Sequence, residues 1–159
     1  MNENKVIIYT DGGCRSNQTE NNIGGLGVVL QFRGHKKEHY RGFRNTTNNR
    51  MEIQAAIDAL KLMKRFDIPV EVRTDSAYLC NCINNKWYKN WMNNGWLTSA
   101  KKPVENRDLW IDLLELIEQF QFISFTKVKG HSDNDGNNRA DELANLAMDK
   151  MLWKTLKRS

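Results

Sequence analysis

The hydrophobic period of this chain first changes near residue 48, and that change limits the folds open to it. Before it lie three short runs suited to extended chain: Lys5–Asp11 (KVIIYTD), Gly25–Phe32 (GLGVVLQF) and His39–Arg44 (HYRGFR). The first is followed by Gly12-Gly13, which reads as a turn signal, and the three runs are expected to form an antiparallel meander. From Asn48 onward the apolar residues Met51, Ile53, Ala55, Ala56, Ile57, Ala59, Leu60 and Leu62 recur at helical spacing, behind capping side chains in Thr47-Asn48-Asn49. Pro69 introduces a further strand, Val70–Asp75, and a helix follows from about Ser76. A mixed aromatic and polar stretch, Lys86–Gly95, precedes a helix over Asp108–Phe120 and an alternating strand over Ile123–Lys129. Ala140, Leu143, Ala144, Ala147 and Met151 then mark a closing amphipathic helix. Three strands, then alternating helix and strand, then a last helix predict an α/β protein with a mixed five-stranded sheet flanked by helices.

With 159 residues the chain is long enough for one well-filled core and too short for two, so a single domain over 1–159 is expected. Its core spans about residues 5–150, and a helical tail over 151–159 carries Lys154, Lys157 and Arg158 beside Trp153 and Leu156. Hydrophobic residues make up 40% and charged residues 27%, and runs such as Val6-Ile7-Ile8-Tyr9 are far too short to cross a bilayer. The first residues lack the charged, apolar and small-residue regions of a signal peptide, so a cytoplasmic location is expected. Cys14, Cys80 and Cys82 are odd in number and have no zinc-like pairing with histidines, which reads as free thiols. The net charge of +5 favours a polyanionic partner, and the lysines gather around the tryptophan-rich middle. No apolar stripe is long enough to demand a dimer, so the expectation is a monomer.

Four acids are placed where a site could form. Asp11 and Asp75 end strands, and in α/β sheets ligands bind at the carboxyl ends of strands. Glu52 lies early in its helix beside the apolar Ile53, and Asp141 lies beside Ala140 on the buried stripe of the last helix. Taken singly, each has an ordinary use as a turn former or a partner of the helix dipole. The motifs carry more. Tyr9-Thr10-Asp11-Gly12-Gly13, Thr47-Asn48-Asn49-Arg50-Met51-Glu52, Thr74-Asp75-Ser76-Ala77-Tyr78, and Lys129-Gly130-His131 through Asn137, Arg139, Ala140, Asp141, Glu142 and Leu143 follow one another in order. This set resembles type 1 ribonuclease H over roughly residues 5–150.

The resemblance implies a ribonuclease H-like fold in which Asp11, Glu52, Asp75 and Asp141 converge on one spot as catalytic metal ligands. It implies an endonuclease that hydrolyses the RNA strand of an RNA–DNA hybrid and leaves 5′-phosphate and 3′-hydroxyl ends. Such crowded carboxylates stay ionised only if cations neutralise them, and hard oxygen donors suit two Mg²⁺ ions, with Mn²⁺ as an alternative. A pair of these ions can clamp a scissile phosphate. By resemblance Asp11 bridges the two ions, and His131, on the loop before the last helix, handles protons as product leaves.

Substrate contacts are carried over in the same way. Cys14, Asn17, Asn48 and Asn49 resemble residues that contact the hybrid, where 2′-hydroxyls in the wide minor groove distinguish RNA from DNA. Thr47 and Asn106 resemble a pocket for a phosphate of the DNA strand. Lys86–Trp96 and Lys101-Lys102-Pro103 resemble a basic handle, with Trp87 and Trp91 packing along sugars; the alternative is that these tryptophans stack on one another as a satellite core. Three features depart from the family pattern: the loop Arg15–Asn22 lacks proline-glycine character, Ala77 stands where glutamine is common, and Met92-Asn93-Asn94 replaces a more basic run. Two other readings stay open, a DNA nuclease or recombinase domain on the same fold and a hybrid-binding protein without turnover.

Overall fold

A computed structural model describes residues 4–15, 22–129 and 135–158, with side chains described as far as residue 154. Five strands and five helices follow one another as β1 (Val6–Arg15), β2 (Ile23–Phe32), β3 (His35–Arg44), α1 (Asn48–Lys61), β4 (Val70–Thr74), α2 (Ala77–Asn84), α3 (Trp87–Asn93), α4 (Arg107–Gln119), β5 (Ile123–Lys127) and α5 (Asp135–Arg158). The strands form one mixed sheet in the order β3-β2-β1-β4-β5. β1, β2 and β3 are the expected antiparallel meander, and β4 and β5 add in parallel beyond β1.

Alternation along the strands divides the interior into two layers. Val6 and Ile8 of β1, Leu26 and Val28 of β2, Val70 and Val72 of β4 and Phe125 of β5 pack under α1, α2 and α4 in the larger core. Trp110 and Leu113 of α4 are fully buried there, each worth about 2–3 kcal/mol by area removed from water. On the other face a smaller cluster of Tyr9, Val29, Ala140 and Leu143 lies beneath α5. Among the described residues, no helix is long and apolar enough to cross a membrane.

Several boundaries shift by one or two residues from the sequence expectation, and those of β1, β3 and α5 differ more. Gly12-Gly13 is not a turn: β1 runs on to Arg15, with Gly12 opposite Leu26 and Gly13 opposite Gly25. A Cβ on Gly12 would lie 2.4 Å from the Met51 carbonyl carbon, so glycine here permits close approach of α1 rather than chain reversal. β3 begins at His35, four residues early, because the exposed stretch His35–Glu38 shows no alternation for the sequence to reveal. A two-residue hairpin joins it to β2, with Arg33 and Gly34 at φ 51° and 80°. α5 starts at Asp135, so its first turn is polar and lies outside the apolar stripe that marks the rest.

Candidate active site

The parallel pairing of β1 with β4 brings two strand ends side by side. The register Ile7–Glu71, Ile8–Val72, Tyr9–Arg73 carries forward to Asp11 and Asp75 at the carboxyl end of the pair. Asp75 sits in a short link whose shape is set locally: Thr74 Oγ1 accepts from the Ser76 N–H at 3.1 Å, and Ser76 Oγ caps α2 by accepting from the Leu79 N–H at 3.1 Å. Glu52 comes in from α1, whose amino-terminal turn rests directly on Gly12, next to Asp11. Asp11, Glu52 and Asp75 each offer an oxygen within 4.8 Å of the others. Asp141, in the second turn of α5, approaches Asp11 from the opposite face of the sheet and lies outside that set of three.

Electrostatics make this an unfavourable place for bare carboxylates. Burial, then the charge of Asp75, then the hydrogen bond and charge of Asp141 push the Asp11 carboxyl up to about 8, against an opposing bond from the Gly12 N–H. Burial raises Glu52 well above the usual carboxylate range too, and Asp11 and Asp75 add to it. Glu52 Oε2 is buried and has no hydrogen-bond partner among the described residues. A buried carboxylate oxygen is a costly thing to leave unpaired unless something cationic is meant to meet it. Hard oxygen donors, mutual repulsion and an orphaned oxygen together fit one or more small divalent cations.

The remaining sequence candidates are spread around this centre. Cys14 lies at the end of β1, its thiol pushed up by burial and its Sγ 3.6 Å from the Thr46 carbonyl. Thr47 caps α1, its Oγ1 accepting from the Arg50 N–H at 3.2 Å, and Asn48 and Asn49 are exposed in the turn that follows. Asn106 takes a left-handed conformation before α4, with φ 63°. Its side chain accepts from Arg50 Nη1 at 3.3 Å and donates to the Tyr78 hydroxyl at 3.4 Å. Arg50 also grips Asp108 with both terminal nitrogens at 3.0 and 2.8 Å. By sequence Arg50 is one member of a motif with no role of its own; in the fold it ties the Thr47 end of α1 to Asn106.

Trp87 is exposed on α3, whereas Trp91 is half-buried and packs on Trp96 and Trp110, with ring centroids 5.9 and 6.1 Å apart. The satellite packing weighed for the tryptophans is therefore present for Trp91 and Trp96. Both Trp87 and Trp91 still line an open cleft of about 560 Å³ with Asn90, Asn93, Asn94, Leu97 and Ser99. Asn17 and His131 lie outside the described residues. Cys14, Cys80 and Cys82 are free cysteines, as expected.

The chain is similar to known proteins over most of its length. The family description "RNase H" matches residues 3–149 of the chain. A ribonuclease H of Clostridium botulinum is 53% identical over 146 residues, covering 92% of this chain and 97% of its own. A ribonuclease H of Francisella tularensis subsp. novicida is 47% identical over 152 residues, 96% of either chain. Among solved structures, LC11-RNase H1 in complex with an RNA/DNA hybrid superposes with a TM-score of 0.71 at 30% identity, covering 92% of this chain and 99% of that one. With the family model matching residues 3–149 and relatives 47–53% identical over more than nine-tenths of the chain, this chain belongs to the ribonuclease H family.

Proposed function

We propose that this protein is an endonuclease that hydrolyses the RNA strand of RNA–DNA hybrids and leaves 5′-phosphate and 3′-hydroxyl ends. The observation that carries the reading is the carboxylate centre: Asp11, Glu52 and Asp75 share a space 4.8 Å across, Asp141 lies close enough to Asp11 to raise its carboxyl, and Glu52 keeps a buried oxygen with no partner among the described residues. The hybrid bound to LC11-RNase H1, a structural relative, supports the choice of substrate.

In this reading Asp11, Glu52, Asp75 and Asp141 hold two divalent cations, Mg²⁺ by preference and Mn²⁺ as a substitute. Bound there, the cations would neutralise the carboxylates and stabilise charge that builds on the phosphodiester during in-line attack by water. Asp11, which lies near both Asp75 and Asp141, would be the central ligand of the group, the role that its family counterpart holds. Glu52 also faces the strand to be cut and accepts a hydrogen bond from a 2′-hydroxyl, which a DNA strand lacks. His131 takes up and releases protons as the P–O3′ bond breaks and product departs.

Cys14, Asn17, Asn48 and Asn49 line the path of the RNA strand. Thr47 and Asn106 receive a phosphate of the DNA strand, in a pocket whose shape Arg50 maintains by holding Asn106 and Asp108 together. Trp87, and the exposed edge of Trp91, support the sugars beyond it, with Lys86, Lys89, Lys101 and Lys102 facing phosphates. The protein acts as a single-domain monomer in the cytoplasm.

The test is cleavage of an end-labelled RNA–DNA hybrid with Mg²⁺, with and without EDTA, beside duplex DNA and duplex RNA. Metal-dependent cutting of the RNA strand alone is expected. Equal cutting of duplex DNA would favour a DNA nuclease or recombinase, and binding with no cutting under Mg²⁺ or Mn²⁺ would favour a hybrid-binding protein.

A further inference from the structure

The four acids are not held in place equally well. Asp11 lies on a strand paired on both sides, Asp75 directly extends one, and Glu52 stands on a helix seated against Gly12. Asp141 is different, because it rides on α5, which lies across the other face of the sheet. Glycine and alanine let α5 come close: a Cβ on Gly27 would lie 2.1 Å from the Ala140 carbonyl oxygen. Such close packing fixes how near the helix lies. Leu143, Met148 and Met151 seat over Gly27, Gly25 and Gly42, and directional bonds add to this packing in fixing the helix along the strands.

Arg139 ties the helix to Glu38 of β3 at 2.7 and 3.1 Å, and the bonds to β1, the strand that carries Asp11, come from Arg15. Its Nη1 donates to Asp149 Oδ1 at 2.8 Å, and its Nη2 to the Asn145 side-chain oxygen at 3.2 Å and the Asn145 carbonyl at 3.5 Å. Asn145 completes the chain by donating its own amide to the Asp141 carbonyl at 3.0 Å. Arg15 stands four residues beyond Asp11 on the same strand, in register with Ile23 of β2. One strand therefore carries both the central acid and the anchor of the helix that supplies the fourth. An exposed ion pair such as Arg15–Asp149 contributes little to stability, so its effect is expected chiefly in geometry.

We propose that Arg15 and Asn145 form a positioning clamp that holds Asp141 in register with Asp11, and that the clamp sets the metal affinity and turnover of the centre without touching substrate. The role of the centre rests on the hydrolytic reading above, whereas the clamp itself rests on the hydrogen-bond chain. A guanidinium can span two helical turns with its planar fork, which a lysine ammonium cannot do from one point.

The test compares the full-length protein with Arg15→Ala, Arg15→Lys, Asn145→Ala and the Arg15→Ala/Asn145→Ala double variant. Arg65→Ala, which breaks an exposed ion pair with Asp67 far from the centre, serves as control. Mn²⁺ binding is followed by titration calorimetry without substrate, folding by thermal unfolding, and kcat and KM by hybrid cleavage. Arg15→Ala and Asn145→Ala are each expected to weaken Mn²⁺ binding about 10-fold and lower kcat comparably, as loss of a supporting shell does, with KM little changed. The double variant should be no worse than either single one, because both cut the same chain, and Arg15→Lys should fall between. Folded variants that keep wild-type Mn²⁺ affinity and kcat would overturn the clamp, as would additive losses or an equal loss in Arg65→Ala. A wild-type protein that binds Mn²⁺ and cuts no hybrid would sink the hydrolytic reading, and the calorimetry would still decide the clamp.

Discussion

Ionising Asp11 in the metal-free protein means placing charge in a buried site beside Asp75 and Asp141, which is why its carboxyl is pushed up to about 8. The unfolded chain releases that proton near 3.8, so between these values the native state binds more protons and stability falls as pH rises. In EDTA the melting temperature should therefore decline as pH climbs from about 4 to about 8, and Mg²⁺ should restore it most at the upper end. Asp11→Asn should flatten the decline and raise the metal-free melting temperature at pH 8, by about 2–4 °C for each kcal/mol of repulsion relieved. The same variant should lose cleavage while largely keeping hybrid binding; scanning calorimetry and a filter-binding assay check the two halves separately. Glu71 behaves in the opposite sense. Burial alone would raise it, but hydrogen bonds from Arg73, Lys5 and Thr126 outweigh burial and hold it at about 2. Its contribution is intact above about 4.5 and disappears as pH falls through about 2, so Glu71→Gln should blunt acid unfolding in that window.

At the scale of elements, the seating of α1 on β1 decides whether Glu52 meets Asp11. Gly12→Ala would place a methyl group 2.4 Å from the Met51 carbonyl and 2.8 Å from the Glu52 amide, neither of which can swing aside. Overpacking of this kind costs about 1–3 kcal/mol, read as a lower melting temperature. Because the displaced atoms are the backbone of Glu52 itself, cleavage should fall at least about 10-fold even at temperatures where the variant is folded. Unchanged kcat would show that α1 does not set the geometry of the centre. The sequence pattern put these glycines in a turn, since a glycine pair after a β-branched run usually ends a strand. Nothing local distinguishes a glycine needed for positive φ from one needed for close approach: that depends on Met51, far along the chain. The same limit applies to β3, whose early residues are polar and exposed, and to α5, whose first turn is polar although Gly136 and Asn137 are buried, so neither start leaves an apolar trace.

For the whole molecule, the proposed binding face combines the amino end of α1 with the lysines around α3, and the net charge of +5 suits a long polyanion. Lys86, Lys89, Lys101 and Lys102 are all exposed there. Hybrid affinity should drop steeply as salt rises from about 50 to about 200 mM, and removing Lys86 and Lys89 together should make the log–log slope shallower by about 2, one unit for each phosphate no longer neutralised. An unaltered slope would place the hybrid elsewhere on the surface. Trp91→Ala should cost stability as well as affinity, because its ring packs on Trp110 of the core.

Much of this protein is legible one residue at a time. Period-2 and helical patterns located the strands and helices, and Asp11, Glu52, Asp75 and Asp141 stood out by position and motif order, because local propensity and side-chain period act over a few neighbours. The tertiary structure decided what depends on residues distant in the chain: that Gly12 seats α1, that Trp91 packs inward, that Arg50 spans to Asn106 and Asp108, and that Arg15 reaches Asn145. It also decided the electrostatics, since Asp11 is pushed up only because folding buries it and brings Asp75 and Asp141 to its side. Charge interactions and close packing depend on distance in space, and the chain's own order does not contain that distance until β1, β4, α1 and α5 have come together.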